Sequence, residues 1–415
     1  MGAYQITGGR SLEGAVTIHG AKNSALPILA ATLVSGGKYT IHNCPEISDV
    51  DTALQILQAL GCTAKRCGAT VYVDTYAAKN REIPEKLMKK MRAAIIFLGA
   101  LIARFGEAGV TSPGGCVLGE RPIDLHLFGL RLMGAVCEYD GETLHCSGKN
   151  LQGCTIALPF PSVGATENLI LSALACEGEI ILCNAAKEPE IGDLIGFLKS
   201  CGAQIDGIGT SILHISGRKA MHGTEYSVMP DRMEAATYLA AAAATRGRLV
   251  LQGAEPRHLQ AVLSVLQNGG CQIAQRPDEI VIRCDCLYAV SPIVTAPYDG
   301  FPTDAQAPMM AAMATAEGVS IFEETIFSDR LRHVPALCAM GAKIHAAGHH
   351  AVVTGVKTLH GAQVEATDLR GGAAMVIAAL CADGQSIITG IEHMERGYTS
   401  FAETLRSCGA QIERG

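Results

Sequence analysis

The sequence predicts an α/β protein of two domains, each built from three repeats of about 70 residues. Three observations carry that expectation. A Leu-x-x-x-Gly signature recurs, and its glycines (Gly61, Gly134, Gly202, Gly270, Gly341 and Gly409) lie 73, 68, 68, 71 and 68 residues apart. A small-residue apolar segment recurs at the same period. The chain also stops at Gln411-Ile-Glu-Arg-Gly415, just where a sixth repeat still needs its hairpin.

Taken in order, the N-terminal runs Tyr4-Gln-Ile-Thr7 and Gly14-Ala-Val-Thr-Ile18 read as strands that supply the missing hairpin. The expected first domain is therefore 21–229, and the second is 1–20 with 230–415, with crossovers near Gly20 and Pro230. A body crossed twice by its chain can close by hinge motion around a ligand. Each Leu-x-x-x-Gly reads as an amphipathic helix stopped by a C-cap glycine and followed by a short strand, as at Gln204-Ile205. The apolar segments Asn23–Leu33, Met91–Arg104, Glu167–Cys176, Glu234–Thr245, Ala305–Ala316 and Ala373–Ala382 read as buried helices. Runs such as Ala240–Ala244 leave almost no polar face, and a helix apolar all round is buried. Hairpin-like strands precede them, for example Leu213–Gly217 with Tyr226–Met229, and Val352–Gly355 with Gln363–Ala366. A solenoid is the rival arrangement, but neither capping repeats nor strict uniformity is visible.

Composition narrows the class. The chain has 415 residues, 48% of them hydrophobic and 18% charged, which suits folded domains. A net charge of -7 with no basic tail or stripe argues against nucleic acid as a partner. No apolar run is long enough for membrane insertion, and the first residues lack the pattern of a secretory signal, so a cytoplasmic location is expected. The 16 cysteines are scattered without a CxxC pair. That favours reduced, mostly structural thiols over a zinc site.

Candidate chemistry lies at two kinds of place. The first is Thr111-Ser-Pro-Gly-Gly-Cys116-Val-Leu-Gly-Glu-Arg121-Pro122, a glycine-rich loop that runs into a helix start. A cation near a thiol lowers its pKa, so Cys116 beside Arg121 is a candidate reactive thiol; otherwise it is one small apolar residue among many. The second is the polar start of each buried helix: Lys22-Asn23, Lys90 with Arg92, Ser162 with Gly164 and Thr166, Asp231-Arg232, Thr303-Asp304, and Asp368 with Arg370. N-capping accounts for Asp and Ser there. Lys and Arg oppose the helix dipole and imply a compensating anion. Later in the chain come Arg330, Arg332 and His333, then His393 and Arg396. Each of these, taken singly, reads as part of a solvated face.

Together these motifs resemble the enolpyruvyl transferase (EPSP synthase-like) family, and within it the branch acting on UDP-N-acetylglucosamine. The match runs from Gly20-Ala-Lys-Asn-Ser-Ala-Leu-Pro27 through Asp49-Val-Asp51, Met91-Arg-Ala93, Pro113-Gly-Gly-Cys116, Arg121–His126 and Ser162–Thr166. It continues through Glu188-Pro-Glu-Ile191, Pro230-Asp-Arg232, Phe301-Pro-Thr-Asp304, His333-Val-Pro335, Thr367-Asp-Leu-Arg370 and Arg396-Gly-Tyr398. The resemblance implies two inside-out α/β barrels. It implies transfer of the enolpyruvyl group of phosphoenolpyruvate to the 3-hydroxyl of UDP-N-acetylglucosamine, the first committed step of peptidoglycan synthesis, with no metal or organic cofactor. By the same carry-over, Cys116 is the general acid and can form an adduct with phosphoenolpyruvate, and Asp304 is the base. Lys22, Arg121 and Arg396 surround phosphoenolpyruvate, with Arg370 near them. The nucleotide sugar falls to Asn23, Arg92, Arg121, Pro122, Ile123, Asp124, Leu125, Phe160, Pro161, Ser162, Val163, Gly164, Asp304 and Ile326.

The chain departs from the family pattern at Phe160, where some members carry lysine, and at Thr399-Ser400, where charges are common. Pro308 is expected to disturb the first turns of its helix, and Gly371-Gly372 to loosen the start of the last one. Three other readings remain. A 3-phosphoshikimate enzyme of the same fold is disfavoured by the Pro-Gly-Gly-Cys loop. A silent sugar-nucleotide-binding paralogue is disfavoured by the intact Cys116, Asp304, Lys22 and Arg396. A thiol hydrolase lacks an evident His or Asn partner.

Overall fold

The small-residue segments form six helices: Lys22–Ala31, Phe97–Phe105, Val163–Ala173, Arg232–Ala244, Thr303–Met313 and Leu369–Cys381. The 3-10 helix Arg92–Ile96 leads into the second. Most start earlier than the apolar run because polar residues build the first turn. Ser162 accepts from Ala165 N, Asp231 from Met233 N and Glu234 N, and Asp368 from Arg370 N and Gly371 N. Every residue of Arg232–Ala244 is buried. Pro27 and Pro308 both lie inside helices that continue through them. The expected disturbance at Pro308 is confined to one ladder bond, the one to the carbonyl of Asp304 four residues back in the first turn.

The computed structural model describes residues 2–111 and 123–415. They separate into two units, one holding 2–19 with 230–415 and the other 20–111 with 123–229. Ala21 N donates to Met229 O at 2.7 Å in one unit, and Asp231 N donates to His19 O at 2.8 Å in the other.

One pairing scheme recurs. The strand after a buried helix lies between the antiparallel strand of its own hairpin and a short parallel strand from earlier in the ring. Val319–Glu323 lies between His350–Thr354 and Ile293–Val294, and Glu179–Cys183 between Ile212–Ser216 and Thr155–Ala157. Lys38–His42 pairs in parallel with Glu225–Ser227, so the third repeat of that unit returns to the first. In the other unit, Arg248–Gln252 takes its parallel partner from Glu13–Thr17. Ala3–Thr7 lies antiparallel between Gln385–Thr389 and Gln411–Arg414. Each unit thus has its own apolar core, with helices inside and sheets outside. These are inside-out α/β barrels. Within one of them, helices Arg232–Ala244, Thr303–Met313 and Leu369–Cys381 pack on one another.

Close approach dictates some glycines. A Cβ on Gly99 would lie 2.4 Å from the Asn168 carbonyl oxygen. Asn168 itself ties two helices together: its Oδ1 accepts from Gly99 N at 2.7 Å and its Nδ2 donates to Ile95 O at 3.0 Å. Gly371 and Gly372 are buried inside helix Leu369–Cys381 rather than loosening its start. A Cβ on Gly372 would sit 2.9 Å from Met394 Cγ.

One thiol expectation needs correction. Cys137 and Cys146 face each other across the hairpin of Val136–Asp140 and Thr143–Ser147 and are disulfide-bonded. Their separation of 9 residues carries no such signal without the register. The other 13 cysteines among the described residues are free. No helix among the described residues is long and apolar enough to cross a membrane.

Candidate active site

Asp304 is the second residue of helix Thr303–Met313, and it does not cap that helix. Its carboxylate is held by two arginines instead. Arg330 donates to Oδ1 at 2.9 Å; Arg370 donates to Oδ2 from Nε at 3.3 Å and from a terminal nitrogen at 3.2 Å. Arg330 also donates from Nε to the Thr303 carbonyl at 3.2 Å. The side chains of Arg330 and Arg370 are 2% and 4% exposed, against 29% for Asp304. The carboxylate is therefore the outward end of a buried ionic cluster.

Arg370 is fixed from behind as well. Its second terminal nitrogen donates to the Tyr398 hydroxyl at 3.0 Å, and its guanidinium lies 5.4 Å from the centre of that ring. Burial alone would pull the Arg370 pKa down, but Tyr398, Asp304 and Asp231 outweigh it and the net shift is upward. Burial pushes the Tyr398 phenol up, so it stays neutral. Glu324, almost fully buried, accepts from the Thr303 hydroxyl at 3.0 Å, from Ile326 N at 2.9 Å and from Phe327 N at 3.0 Å. It thereby sets the backbone that presents half-buried Ile326.

The solvated-face reading fails for two of the late residues. Arg330 and His333 are buried, whereas Arg332 is exposed. His333 contacts the Arg330 carbonyl through Nδ1 at 3.2 Å and Met310 Sδ through Nε2 at 3.3 Å. Burial drives its pKa down to about 4, so the ring is neutral at ordinary pH. Arg396 ends the 3-10 helix Ile391–Arg396 and is half-buried, two residues before Tyr398.

In the other unit, Lys22 begins helix Lys22–Ala31 and its Nζ lies 2.6 Å from Asp49 Oδ2. The anion expected at that helix start is thus supplied, at least in part, by the chain itself. Asn23 is exposed next to it, and Ser24 bonds to Asp193. Burial, chiefly, pushes the Asp193 carboxyl up. Arg92 opens its 3-10 helix. Ile123 and Leu125 are half-buried around exposed Asp124, the first residue of helix Asp124–Leu132. Phe160 is exposed, while Pro161, Ser162, Val163 and Gly164 are half-buried at the start of helix Val163–Ala173. Just beyond them, burial with the charges of Glu190 and Glu188 raises the Glu167 carboxyl well above its ordinary value. Cys116, Arg121 and Pro122 lie outside the described residues.

The structure therefore brings Asp304 and Arg370 together among the sequence candidates. It joins Arg330, which read singly as solvated, to that pair, and it adds Tyr398, Thr237 and Glu324, and Asp49 to Lys22. Nothing in the sequence singled out Thr237 within helix Arg232–Ala244.

Two α/β barrels with helices inside and sheets outside have the fold of an enolpyruvyl-transferase class of protein. The profile of the EPSP synthase (3-phosphoshikimate 1-carboxyvinyltransferase) family matches residues 6–405, and the chain belongs to that family. It is 48% identical to the UDP-N-acetylglucosamine 1-carboxyvinyltransferase 2 of Caldanaerobacter subterraneus subsp. tengcongensis, covering 100% of both chains. It is 45% identical to the UDP-N-acetylglucosamine 1-carboxyvinyltransferase of Acidiphilium cryptum, covering 100% of this chain and 99% of the relative. Among solved structures, the enolpyruvyl transferase NikO from Streptomyces tendae superposes with a TM-score of 0.91 at 25% identity, over 100% of this chain and 98% of that one. An EPSP synthase from Acinetobacter baumannii gives 0.76 at 19% identity over 100% of both, a likeness of fold alone.

Proposed function

We propose that the chain transfers the enolpyruvyl group of phosphoenolpyruvate to the 3-hydroxyl of UDP-N-acetylglucosamine and releases phosphate, as an enzyme of peptidoglycan synthesis. The observation that carries this reading is the 48% identity, over the whole of both chains, to a relative named for that activity. The geometry supports it: an outward-facing carboxylate on a buried cationic base suits proton removal beside anionic groups.

In the proposed route the sugar oxygen bonds to C2 of phosphoenolpyruvate while C3 takes up a proton, giving a tetrahedral ketal. The C2–O bond to phosphate then breaks and C3 loses a proton, restoring the double bond. Asp304 takes the hydroxyl proton and Cys116 supplies the proton to C3. Lys22, Arg121 and Arg396 balance the phosphate and carboxylate charges, with Arg370 close to Asp304. Asn23, Arg92, Arg121 to Leu125, Phe160 to Gly164 and Ile326 contact the nucleotide sugar, and Phe160 does so without the charge of a lysine. The proposed location is the cytoplasm.

The family's own description favours one second reading, transfer to 3-phosphoshikimate. Phosphate release from phosphoenolpyruvate, measured with UDP-N-acetylglucosamine and in parallel with shikimate 3-phosphate, separates the two. Turnover with the sugar nucleotide alone is expected; turnover with shikimate 3-phosphate alone would reject the proposal.

A further inference from the structure

Behind Asp304, a line of polar contacts runs inward through one unit. Tyr398 and Thr237 are 3% and 1% exposed. The Thr237 hydroxyl donates to the Met233 carbonyl at 2.9 Å, and its oxygen lies 2.8 Å from the Tyr398 hydroxyl. A hydroxyl has one proton to give. With Thr237's proton on Met233, Tyr398 donates to Thr237 and turns its lone pairs toward Arg370, which donates to it at 3.0 Å. One edge of the guanidinium is thus fixed on Tyr398 and another on Asp304.

The ring is held independently of its hydroxyl. It stacks on Phe401 with centroids 4.6 Å apart at 25°. The three helices of the unit's core meet through this line: Thr237 from Arg232–Ala244, Asp304 from Thr303–Met313 and Arg370 from Leu369–Cys381. We infer that Tyr398, oriented by Thr237, is a positioning residue that sets the Arg370 guanidinium against the Asp304 carboxylate; this rests on the proposed role of Asp304 as base. The hydroxyl of Tyr398 is buried, between Thr237 and Arg370. It fixes the direction from which the carboxylate meets the sugar hydroxyl, and a fixed carboxylate contributes to turnover more than to binding.

Tyr398→Phe keeps the stacked ring and removes only the hydroxyl. With phosphoenolpyruvate and UDP-N-acetylglucosamine, kcat is expected to fall about 10- to 100-fold while the KM for the sugar nucleotide stays within about threefold. Thr237→Val should shift kcat the same way by less, and Thr237→Ser, which restores a hydroxyl, should recover it. Thermal melting of Tyr398→Phe, Arg370→Lys and the double variant should show coupling, the double losing less than the two singles added. A kcat for Tyr398→Phe within about twofold of the parent, no recovery in Thr237→Ser, or additive melting losses would each overturn the inference. If the parent enzyme releases no phosphate with these substrates, the functional reading fails separately. The melting cycle then decides alone: coupling upholds the contact line and additivity rejects it.

Discussion

Asp304 and Arg370 lie 66 residues apart and open two different helices, yet the carboxylate of one accepts both Nε and a terminal nitrogen of the other. Arg330 completes the clamp from the 3-10 helix Arg330–His333. Two guanidiniums this deeply buried need a counter-charge, and Asp304 supplies it while leaving part of its own surface open to solvent.

Asp304→Asn tests that double duty. The amide keeps the shape but removes the charge that both arginines face. Turnover should fall by about 100-fold or more, the loss typical of a general base. Stability should fall too, by about 3 to 5 kcal/mol in urea unfolding, because the variant leaves buried charge uncompensated. Full stability in Asp304→Asn would mean that another group neutralises the arginines.

His333 gives a pH prediction. Its pKa is about 4 when folded, against 6.5 for an ordinary histidine, because burial penalises the charged ring. Above pH 6.5 the ring is neutral in both folded and unfolded chains, so its full contribution to stability is present. As pH falls from 6.5 toward 4, the unfolded chain takes up a proton that the folded one refuses, and stability drops by about 3 kcal/mol over that window. His333→Gln should show a shallower acid limb between those pH values in denaturant unfolding. An unchanged slope would place the titration elsewhere.

The repeats, the buried helices and half of the helix caps were legible because they are local. Spacing marks the first, small apolar runs the second, and Ser162, Asp231 and Asp368 the third. Asp304 looked like another cap in sequence, and only the arginines that reach it from residues 330 and 370 make it something else. No local pattern specifies that long-range pairing. Arg330 and His333 read as solvated because charged residues usually are, and burial becomes visible only once the cluster that pays for it is assembled. The Cys137–Cys146 bond was invisible for a related reason, since strand register places the two cysteines opposite each other.

Gly99 tests the helix packing of the other unit. Its position leaves no room for a side chain: the added carbon would meet a backbone carbonyl, that of Asn168, at 2.4 Å. Backbone cannot swing aside as a flexible side chain does. Gly99→Ala should therefore destabilise the fold by about 1 to 3 kcal/mol, seen as a lower melting temperature, although alanine is the better helix former. A rise in melting temperature would show that the two helices can separate at little cost.

Cys116 is the proposed acid, and the other thiols supply the control for testing it. Burial pushes Cys44, Cys176, Cys201 and Cys381 up to about 12 and Cys62 to about 11, leaving them almost wholly protonated at neutral pH. Cys67, Cys286 and Cys338 are exposed and are the accessible competitors. Fosfomycin, which the family resemblance implies as an alkylating inhibitor of members with a cysteine in this loop, should add once per chain, at Cys116, and abolish turnover. Cys116→Asp keeps a proton donor without a nucleophilic sulfur, so it should retain activity and resist the drug. Peptide mass spectrometry after exposure decides the matter. Adducts on Cys67, Cys286 or Cys338 with Cys116 unmodified would remove Cys116 from the mechanism.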